Sequence, residues 1–347
     1  MRNVSLCPSL EFYTRDQIAR NRMNNHHRTF GEFDLIDWIR QREGSQGGPW
    51  TKLGIGDDCA ILDVNRAGDL LVTTDMLMDG RHFRLAHDGP RAAGYKALGV
   101  NLSDIAAMAG VPRACVVAVA LPRTEAATIA QEIYAGMHEL ATRFGVDLVG
   151  GDTNAWDGPL VISVTLLGET TPRGAIRRAG AQPGDVIFVS GPLGGSLFAG
   201  RHLRPEPRIA LALATHEAVP IHAQIDISDG LSSDLGHILE ESGGLGAILD
   251  EAAIPIHSDA HEMSQCDGTS ALDHALNDGE DFELCLVVSA NDAARLVASP
   301  PAPAKFYRIG TVTELPGLFL RSPDGRQRLI EPIGFDHFRP VKDPPWK

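Results

Sequence analysis

The sequence AQIDISDGLSSDLGHILEE, residues 223–241, decides the fold. Its first part predicts a strand over residues 223–227, and the spacing of apolar residues after the turn predicts a helix over residues 231–241. A strand that passes through a short turn into a helix is typical of α/β proteins. We therefore expect an α/β fold.

The turn in this segment is rich in oxygen-bearing side chains. Asp226 and Ser228 share one face of the predicted strand, and Asp229 begins the helix, where Ser and Asp are good caps. Capping alone would explain Asp229. Two carboxylates and a hydroxyl within four residues are more than one cap requires, so the turn is a candidate functional site.

Further segments centred on acidic residues lie on both sides of this turn. They are GIGDDCA at 54–60, TTD at 73–75, NLSD at 101–104, GGDT at 150–153 and GEDFE at 279–283. Most lie where an apolar run meets a glycine or a hydroxyl residue. Buried carboxylates need partners, because an unpaired buried charge is strongly destabilising, and neighbouring lysines are too few to supply them. Oxygen ligands without clustered His or Cys favour Mg²⁺, or alternatively Mn²⁺, and several such ions imply a polyphosphate, usually ATP.

Composition excludes several classes of protein. The chain has 347 residues, enough for two domains, and a formal net charge of −14, which argues against nucleic-acid binding. Its five cysteines form no CxxC pair, so we expect neither a zinc site nor a disulfide framework, and we expect a reducing, cytoplasmic location. We find neither an apolar run of the ~18 residues that a membrane span requires nor the apolar core of a signal peptide.

The chain divides into three parts. Residues 1–29 are arginine-rich and aperiodic, which predicts a flexible tail, and residues 32–41 form the first predicted helix. We predict an N-terminal α/β domain over residues 30–168 and a C-terminal α/β domain over 169–347. The predicted helices of the first domain cover 92–108 and 126–144, and its strands 70–74, 116–121, 146–149 and 160–167. The predicted strands of the second domain cover 185–190, 223–227, 281–288 and 307–313.

Two of the acidic segments have ordinary structural interpretations. Asp57 and Asp58 follow Gly54 and Gly56, which would let the backbone turn close to a ligand. The same residues could form a simple β-turn. Asp152 follows two glycines, which could bring the backbone close to a phosphate, but a single Gly-Gly-Asp is weak evidence.

Other segments also leave alternatives open. Thr73 and Asp75 share a strand face and could contact Mg²⁺ or phosphate, or could simply end the strand. Asp104, in an alanine-rich helix, could bind a metal or pair with Lys96 or Arg113.

Residues 191–195 are Gly-Pro-Leu-Gly-Gly and could cradle a phosphate at a helix start. They lack the Lys-Ser/Thr ending of a P-loop, which favours a structural turn.

In order and spacing, the acidic segments together resemble the thiamine-monophosphate kinase family. The resemblance is carried by residues 54–60, 73–75, 101–110, 150–153, 226–235 and 279–285, and His82-Phe83 and residues 202–208 also fit. It implies a fold like aminoimidazole ribonucleotide synthetase, with an N-terminal sheet that forms a dimer barrel and a C-terminal α/β domain. It also implies transfer of the γ-phosphoryl group of ATP to thiamine monophosphate, the last step of thiamine diphosphate biosynthesis.

The resemblance assigns a role to particular residues. Those similar to the Mg²⁺ ligands are Asp58, Thr73, Thr74, Asp75, Asp104, Asp152, Asp226 and Asp229, of which Asp75 and Asp229 are expected to be essential for catalysis. Those similar to ATP contacts are Tyr134, Gly151, Asp152, Arg178 and Ser228. Those similar to thiamine-phosphate contacts are His82, Glu280 and Phe335. We expect several Mg²⁺ ions, a homodimer, and no nucleic-acid or membrane partner.

The residues also predict a mechanism. The sequence contains no GxSxG motif, no HExxH motif and no evident Cys–His pair, so we expect no covalent nucleophile. A phosphate monoester is largely ionised near neutral pH, with a second pKa of about 6, and needs no strong base. We therefore expect direct in-line transfer.

Rival functions remain open on the sequence alone. The fold also suits an aminoimidazole ribonucleotide synthetase or a selenophosphate synthetase, although Cys7 lacks the glycine-rich setting that the latter requires. A hydrogenase-maturation relative would end in a functional cysteine, whereas this sequence ends in Trp346 and Lys347. A non-catalytic Mg-nucleotide-binding regulator is the remaining alternative.

Overall fold

The computed structural model describes residues 38–39, 41–42, 50–53, 61–62, 68–302 and 305–334. The predicted tail over residues 1–29 lies outside these ranges, as do Cys7, Asp57, Asp58 and Phe335. Of the helix predicted over residues 32–41, only residues 38, 39 and 41 are described, and all three are helical.

The N-terminal half contains a four-stranded sheet in the order β3-β6-β4-β5, next to a two-stranded β1-β2 pair. The strands are β1 (Thr51–Leu53), β2 (Ile61–Leu62), β3 (Leu70–Met78), β4 (Gly110–Pro122), β5 (Asp147–Trp156) and β6 (Val161–Thr170). The helices are α1 (Leu85–Asp88), α2 (Pro90–Ala107) and α3 (Ala126–Phe144). Strands β4 and β5 run parallel, and the other pairs of the four-stranded sheet run antiparallel.

Helices α2 and α3 cover one face of this sheet and pack closely on each other. Two glycines make this possible. A Cβ atom at Gly94 of α2 would lie 2.1 Å from the carbonyl oxygen of Ile133, and one at Gly136 of α3 would lie 2.0 Å from that of Arg91. The main core fills the space between these helices and the inner sheet face.

The C-terminal half contains a seven-stranded mixed sheet in the order β13-β12-β9-β11-β7-β10-β8. Its strands are β7 (Val186–Val189), β8 (Ala223–Asp226), β9 (Gly246–Asp250), β10 (Leu284–Val288), β11 (Tyr307–Thr313), β12 (Gly317–Arg321) and β13 (Gln327–Ile330). Its helices are α4 (Ile209–Ala218), α5 (Leu231–Glu241), α6 (Ser258–Asp267), α7 (Ala271–Asn277) and α8 (Ala290–Ala298). Separate apolar clusters lie on the two sides of this sheet.

Several observed strands differ from the predicted ones: β3 continues to Met78 rather than ending at Thr74, and β4 spans Gly110–Pro122 rather than residues 116–121. Strand β5 continues to Trp156, because Gly150 and Gly151 follow a bulge and keep pairing with β4. Asp152 therefore lies within a strand. Strand β10 begins only at Leu284, because Glu280 and Phe282 have φ angles of +52° and +53°, outside the range of a strand.

No helix within the described ranges is both long and apolar enough to span a bilayer. The longest is α3, whose buried residues alternate with exposed ones. This pattern is that of a helix with one face on a protein core.

The close contact of α2 and α3 yields a stability prediction. Gly94→Ala and Gly136→Ala should each lower the free energy of unfolding by about 1–3 kcal/mol, because the added methyl group meets a backbone carbonyl that cannot move aside. Urea unfolding of the purified variants measures the change. Gly236→Ala is the matched control, since its Cβ would lie 3.4 Å from Pro332, an ordinary contact. Equal loss of stability in all three variants would contradict the packing account.

Candidate active site

Acidic side chains from both halves of the chain meet where α2 contacts the end of β8. Asp226 is the last residue of β8 and is 4 % exposed. Its Oδ2 atom accepts a hydrogen bond of 2.7 Å from the hydroxyl of Ser103, which lies on α2. Residue 104, next on that helix, is one of the predicted ligands. The contact therefore brings Asp226 of the C-terminal half next to Asp104 of the N-terminal half.

Strand β3 supplies two more side chains to this cluster. Its residues alternate between the inner and outer sheet faces, so that Thr73 and Asp75 both point inward towards α2. The hydroxyl of Thr73 donates a hydrogen bond to Oδ2 of Asp104, and the carboxyl of Asp75 lies close enough to that of Asp104 to interact with it. We name the set Asp75, Asp104 and Asp226 the carboxylate cluster.

Burial and mutual repulsion disfavour charge in the carboxylate cluster. Burial, followed by the charge of Asp104, raises the pKa of Asp75 to about 7. The same two causes raise the pKa of Asp226 to about 7. Burial also raises the pKa of Asp104, against the opposing effects of the Thr73 hydrogen bond and the positive charge of Arg178. The cluster would therefore be stabilised by added positive charge.

The side chains proposed as ordinary partners of Asp104 bind elsewhere. Lys96 forms an ion pair of 2.6 Å with Glu280, and Arg113 pairs with Glu169. The interpretation of Asp104 as half of an ion pair with Lys96 or Arg113 is therefore wrong. Arg178, predicted to contact ATP, is exposed, and its positive charge acts on both Asp104 and Asp226.

The turn after β8 is organised by a residue that the sequence analysis missed. One oxygen of Asp234, Oδ2, accepts hydrogen bonds from three successive backbone N–H groups, those of Ser228, Asp229 and Gly230, at 3.0–3.1 Å. Strand β8 ends at Asp226 and α5 begins at Leu231, so the residues of the turn belong to neither the strand nor the helix. Asp234 thereby fixes the backbone that carries the half-buried side chains of Ser228 and Asp229. The sequence did contain one signal for this role, since Asp234 is an acidic residue at the fourth position of the helix predicted over 231–241.

The loop over residues 279–283 lies against this turn. The backbone N–H of Glu280 donates to the carbonyl of Ser228 at 2.7 Å, and that of Phe282 donates to Ile227 at 2.8 Å. A Cβ atom at Gly279 would lie 2.6 Å from the Ser228 carbonyl oxygen, which explains the glycine. Glu280, a predicted substrate contact, is thus held next to Ser228.

His82, the other described residue predicted to contact substrate, lies in the turn between β3 and α1. Its Nδ1 atom accepts a 3.0 Å hydrogen bond from the backbone N–H of Met78. Its carbonyl oxygen accepts a 2.7 Å hydrogen bond from Nζ of Lys96. Because Lys96 also binds Glu280, the two predicted substrate contacts are linked through one side chain.

Two predicted ligands lie on the outer face of the N-terminal sheet instead. Thr74 points away from Thr73 and Asp75, and its hydroxyl donates to the carbonyl of Val164. Asp152 is exposed on β5 and accepts a 2.8 Å hydrogen bond from Asn154. Within a single chain, therefore, the structure does not bring Thr74 or Asp152 into the carboxylate cluster.

The remaining predicted nucleotide contacts, Tyr134 and Gly151, are both explained by packing within the N-terminal half. Tyr134 is buried on α3, where its ring packs edge-on against Trp38 and stacks on His138 with centroid distances of 5.1 and 5.3 Å. Gly151 faces β4 so closely that a Cβ would lie 2.0 Å from the Val117 oxygen. Sheet packing alone thus requires glycine at residue 151.

The glycine-rich turn over residues 191–195 binds side chains of its own chain. Both oxygens of Asp281 accept from the N–H of Gly194, at 2.9 and 3.0 Å, and Asp278 accepts from that of Gly195 at 2.9 Å. Carboxylates therefore occupy the donors that a phosphate would need. The structural interpretation of this turn is confirmed.

The donor set of the carboxylate cluster fits a hard divalent cation shared with a ligand. Its described donors are oxygen atoms, as Mg²⁺ prefers. Across the described part of the chain, no group of three or more His, Cys, Asp or Glu side chains is arranged to hold a metal ion by itself, and this includes the carboxylate cluster. Mg²⁺ commonly takes one or two carboxylates and completes its shell with water and phosphate oxygens. The cluster thus suits Mg²⁺ bound together with a phosphorylated ligand.

Comparison with known proteins agrees with this architecture. Residues 56–170 match the family model "AIR synthase related protein, N-terminal domain", and residues 182–322 match "AIR synthase related protein, C-terminal domain". The chain is 42 % identical to thiamine-monophosphate kinase of Rhodopirellula baltica over 83 % of this chain and 92 % of that protein.

Solved structures show the same similarity. The crystal structure of thiamine-monophosphate kinase from Stenotrophomonas maltophilia K279a is 36 % identical, with a TM-score of 0.72 over 84 % of this chain and 96 % of that one. The structure of AaThiL complexed with AMPPCP and TMP is 30 % identical, with a TM-score of 0.68 over 89 % of this chain and 97 % of that one.

Proposed function

The chain belongs to the thiamine-monophosphate kinase family, and we propose that the carboxylate cluster between its two halves is the site of phosphoryl transfer. The protein is a phosphotransferase that uses ATP to convert thiamine monophosphate to thiamine diphosphate. One observation carries the proposed site: Asp75 and Asp104 of the N-terminal half meet Asp226 of the C-terminal half.

The proposed reaction is direct in-line transfer. An oxygen of the thiamine monophosphate phosphate forms a bond to the γ-phosphorus of ATP as the bond from that phosphorus to the bridging oxygen of ADP breaks. The attacking oxygen is already ionised, so no residue has to remove a proton. The task of the protein is to orient two anionic groups against their repulsion.

Particular residues would perform this task. Asp75, Asp104 and Asp226, with the Thr73 hydroxyl, would hold Mg²⁺, and Asp229 would extend the set from the turn that Asp234 fixes. Bound Mg²⁺ would supply positive charge that screens the phosphates and stabilises charge in the transition state. Arg178 lies close enough to act electrostatically on Asp104 and Asp226, which supports a role in holding a phosphate.

His82 and Glu280 are the proposed contacts of thiamine monophosphate among the described residues. They come from opposite halves of the chain, and their link through Lys96 supports a common role. The nucleotide would contact Ser228 and Arg178. We also propose two domains with a division near residues 168/169; the family matches over 56–170 and 182–322 support a boundary just after β6, which continues to Thr170.

The proposed site predicts which side chains turnover requires. Asp75→Asn and Asp229→Asn should largely abolish formation of ADP and thiamine diphosphate while the protein stays folded, because each removes a negative ligand that Mg²⁺ needs. Chromatography of both products, with and without thiamine monophosphate, measures turnover. The unsubstituted enzyme should yield the two products in equal amounts.

A control for this experiment is Asp324→Asn, in an exposed turn far along the chain, which should leave the rate unchanged. Near-normal rates of Asp75→Asn or Asp229→Asn at saturating Mg²⁺ would contradict the metal assignment. ATP binding without either product would instead support the regulator alternative.

The outer face of the N-terminal sheet supports a homodimer. Its exposed apolar side chains include Val72 and Met76 on β3, at 61 % and 57 % exposure, and Val116 on β4. Thr74 and Val116 both pair with Thr165 of β6, so β3 and β4 flank β6 and these side chains share one face of the sheet. Such a contiguous apolar face typically marks an interaction site. A second copy would bury it, and Thr74 and Asp152 would then lie at the interface.

The dimer proposal is tested by molecular mass in solution. Sedimentation of the unsubstituted chain should give twice the mass of one chain, and Val72→Glu with Met76→Glu should give monomers, because the charges would be buried against the second copy. Val297→Glu, at a residue 66 % exposed on α8, is the control and should remain dimeric. A monomeric unsubstituted chain would contradict the proposal.

A further inference from the structure

Lys96 is a fully buried lysine that the proposed reaction does not use. It lies on α2 and is 0 % exposed. Its Nζ atom donates to the carbonyl of His82 at 2.7 Å and to Oε2 of Glu280 at 2.6 Å. Burial lowers the pKa of this lysine, and the adjacent Glu280 carboxylate opposes that shift. A buried charge of this kind persists only where its partners are well placed.

The two partners of Lys96 come from different halves of the chain. His82 belongs to the turn after β3, and Glu280 belongs to the loop before β10. Lys96 and Glu280 are separated by 184 residues in sequence. The lysine therefore fixes a turn of the N-terminal half to a loop of the C-terminal half.

Glu280 needs this support because its backbone is in an unfavourable conformation. Its φ angle of +52° is one that side-chain-bearing residues seldom adopt, and Phe282 shares it. The backbone N–H of Glu280 is anchored to Ser228, and its carboxylate is anchored to Lys96. The side chain is thus held at both ends.

Lys96 and Glu280 differ in how far their side chains are exposed to solvent. The Glu280 side chain is 23 % exposed, whereas that of Lys96 is 1 % exposed. Glu280 can therefore contact a ligand, while Lys96 lies behind it. Direct contact of Lys96 with a substrate would require the ion pair to open.

We propose that Lys96 is a positioning residue that orients Glu280 and the His82 turn for thiamine monophosphate. The inference rests on the proposed roles of those two residues as substrate contacts. Lys96 binds both proposed thiamine monophosphate contacts directly, and it reaches Ser228 only through the backbone of Glu280. Loss of Lys96 should therefore weaken use of thiamine monophosphate far more than use of ATP. Lys96 acts only through its partners, so its effect should depend on Glu280.

A double-mutant cycle of Lys96→Met and Glu280→Gln tests this dependence. Lys96→Met should raise the KM for thiamine monophosphate about tenfold or more, as loss of an orienting partner does at other sites, with less than about a twofold change in the KM for ATP. The double variant should have the KM of Glu280→Gln alone. Arg321→Met, which breaks a remote ion pair of the same 2.6 Å length with Asp250, should change neither KM.

Amide hydrogen exchange gives a readout that needs no turnover. In Lys96→Met, exchange at the amides of Glu280 and Phe282 should become faster, because the loop loses the anchor of its carboxylate. An unchanged KM for thiamine monophosphate, or effects that multiply in the double variant, would overturn the inference. So would unchanged exchange at these amides. If the unsubstituted enzyme formed no thiamine diphosphate, the proposed function would fail, while exchange would still decide whether Lys96 orders the loop.

Discussion

The seating of helix α2 between the two halves of the chain is the interaction on which the rest of the structure depends. One side of α2 packs against α3 through Gly94. The other side binds the C-terminal half at successive points: Lys96 to Glu280 and Ser103 to Asp226. At its C-terminal end, the carbonyls of residues 106 and 107 accept hydrogen bonds from the Gln224 side chain at 3.0 and 2.9 Å. These contacts set the distance between acids that belong to different domains.

That arrangement has an electrostatic consequence. Asp75, Asp104 and Asp226 are held together although burial raises the pKa of each, and the charge of Asp104 raises the pKa of Asp75 and Asp226 further. Side chains that only stabilised the fold would gain by being apolar or by pairing with lysine. Lys96 is available on the same helix, yet it binds Glu280. The fold thus keeps the cluster short of positive charge, a condition that favours binding of a divalent cation such as Mg²⁺.

Local patterns predicted part of this structure and could not predict the rest. The helix over residues 126–144 and the strand over 307–313 have their predicted bounds, since amphipathic spacing and apolar runs determine them. The sequence left open an ion pair between Asp104 and Lys96, and it could not show that Lys96 pairs with Glu280, which is distant in sequence. The role of Asp234 could not be predicted, because acidic residues are common near helix starts. Only the structure shows that three backbone N–H groups donate to this carboxylate. The sequence segments identified the acids, but only the fold separated Asp75, on the inner sheet face, from Thr74, on the outer one.

The most direct test of the account is to locate the metal. Crystals of the protein grown with Mn²⁺ in place of Mg²⁺ and with the ATP analogue AMPPCP would show the ion by its anomalous scattering. We expect Mn²⁺ between carboxylate oxygens of the Asp75, Asp104 and Asp226 cluster and phosphate oxygens of the nucleotide. Nucleotide bound elsewhere, or Mn²⁺ absent from this cluster while AMPPCP is present, would contradict this expectation.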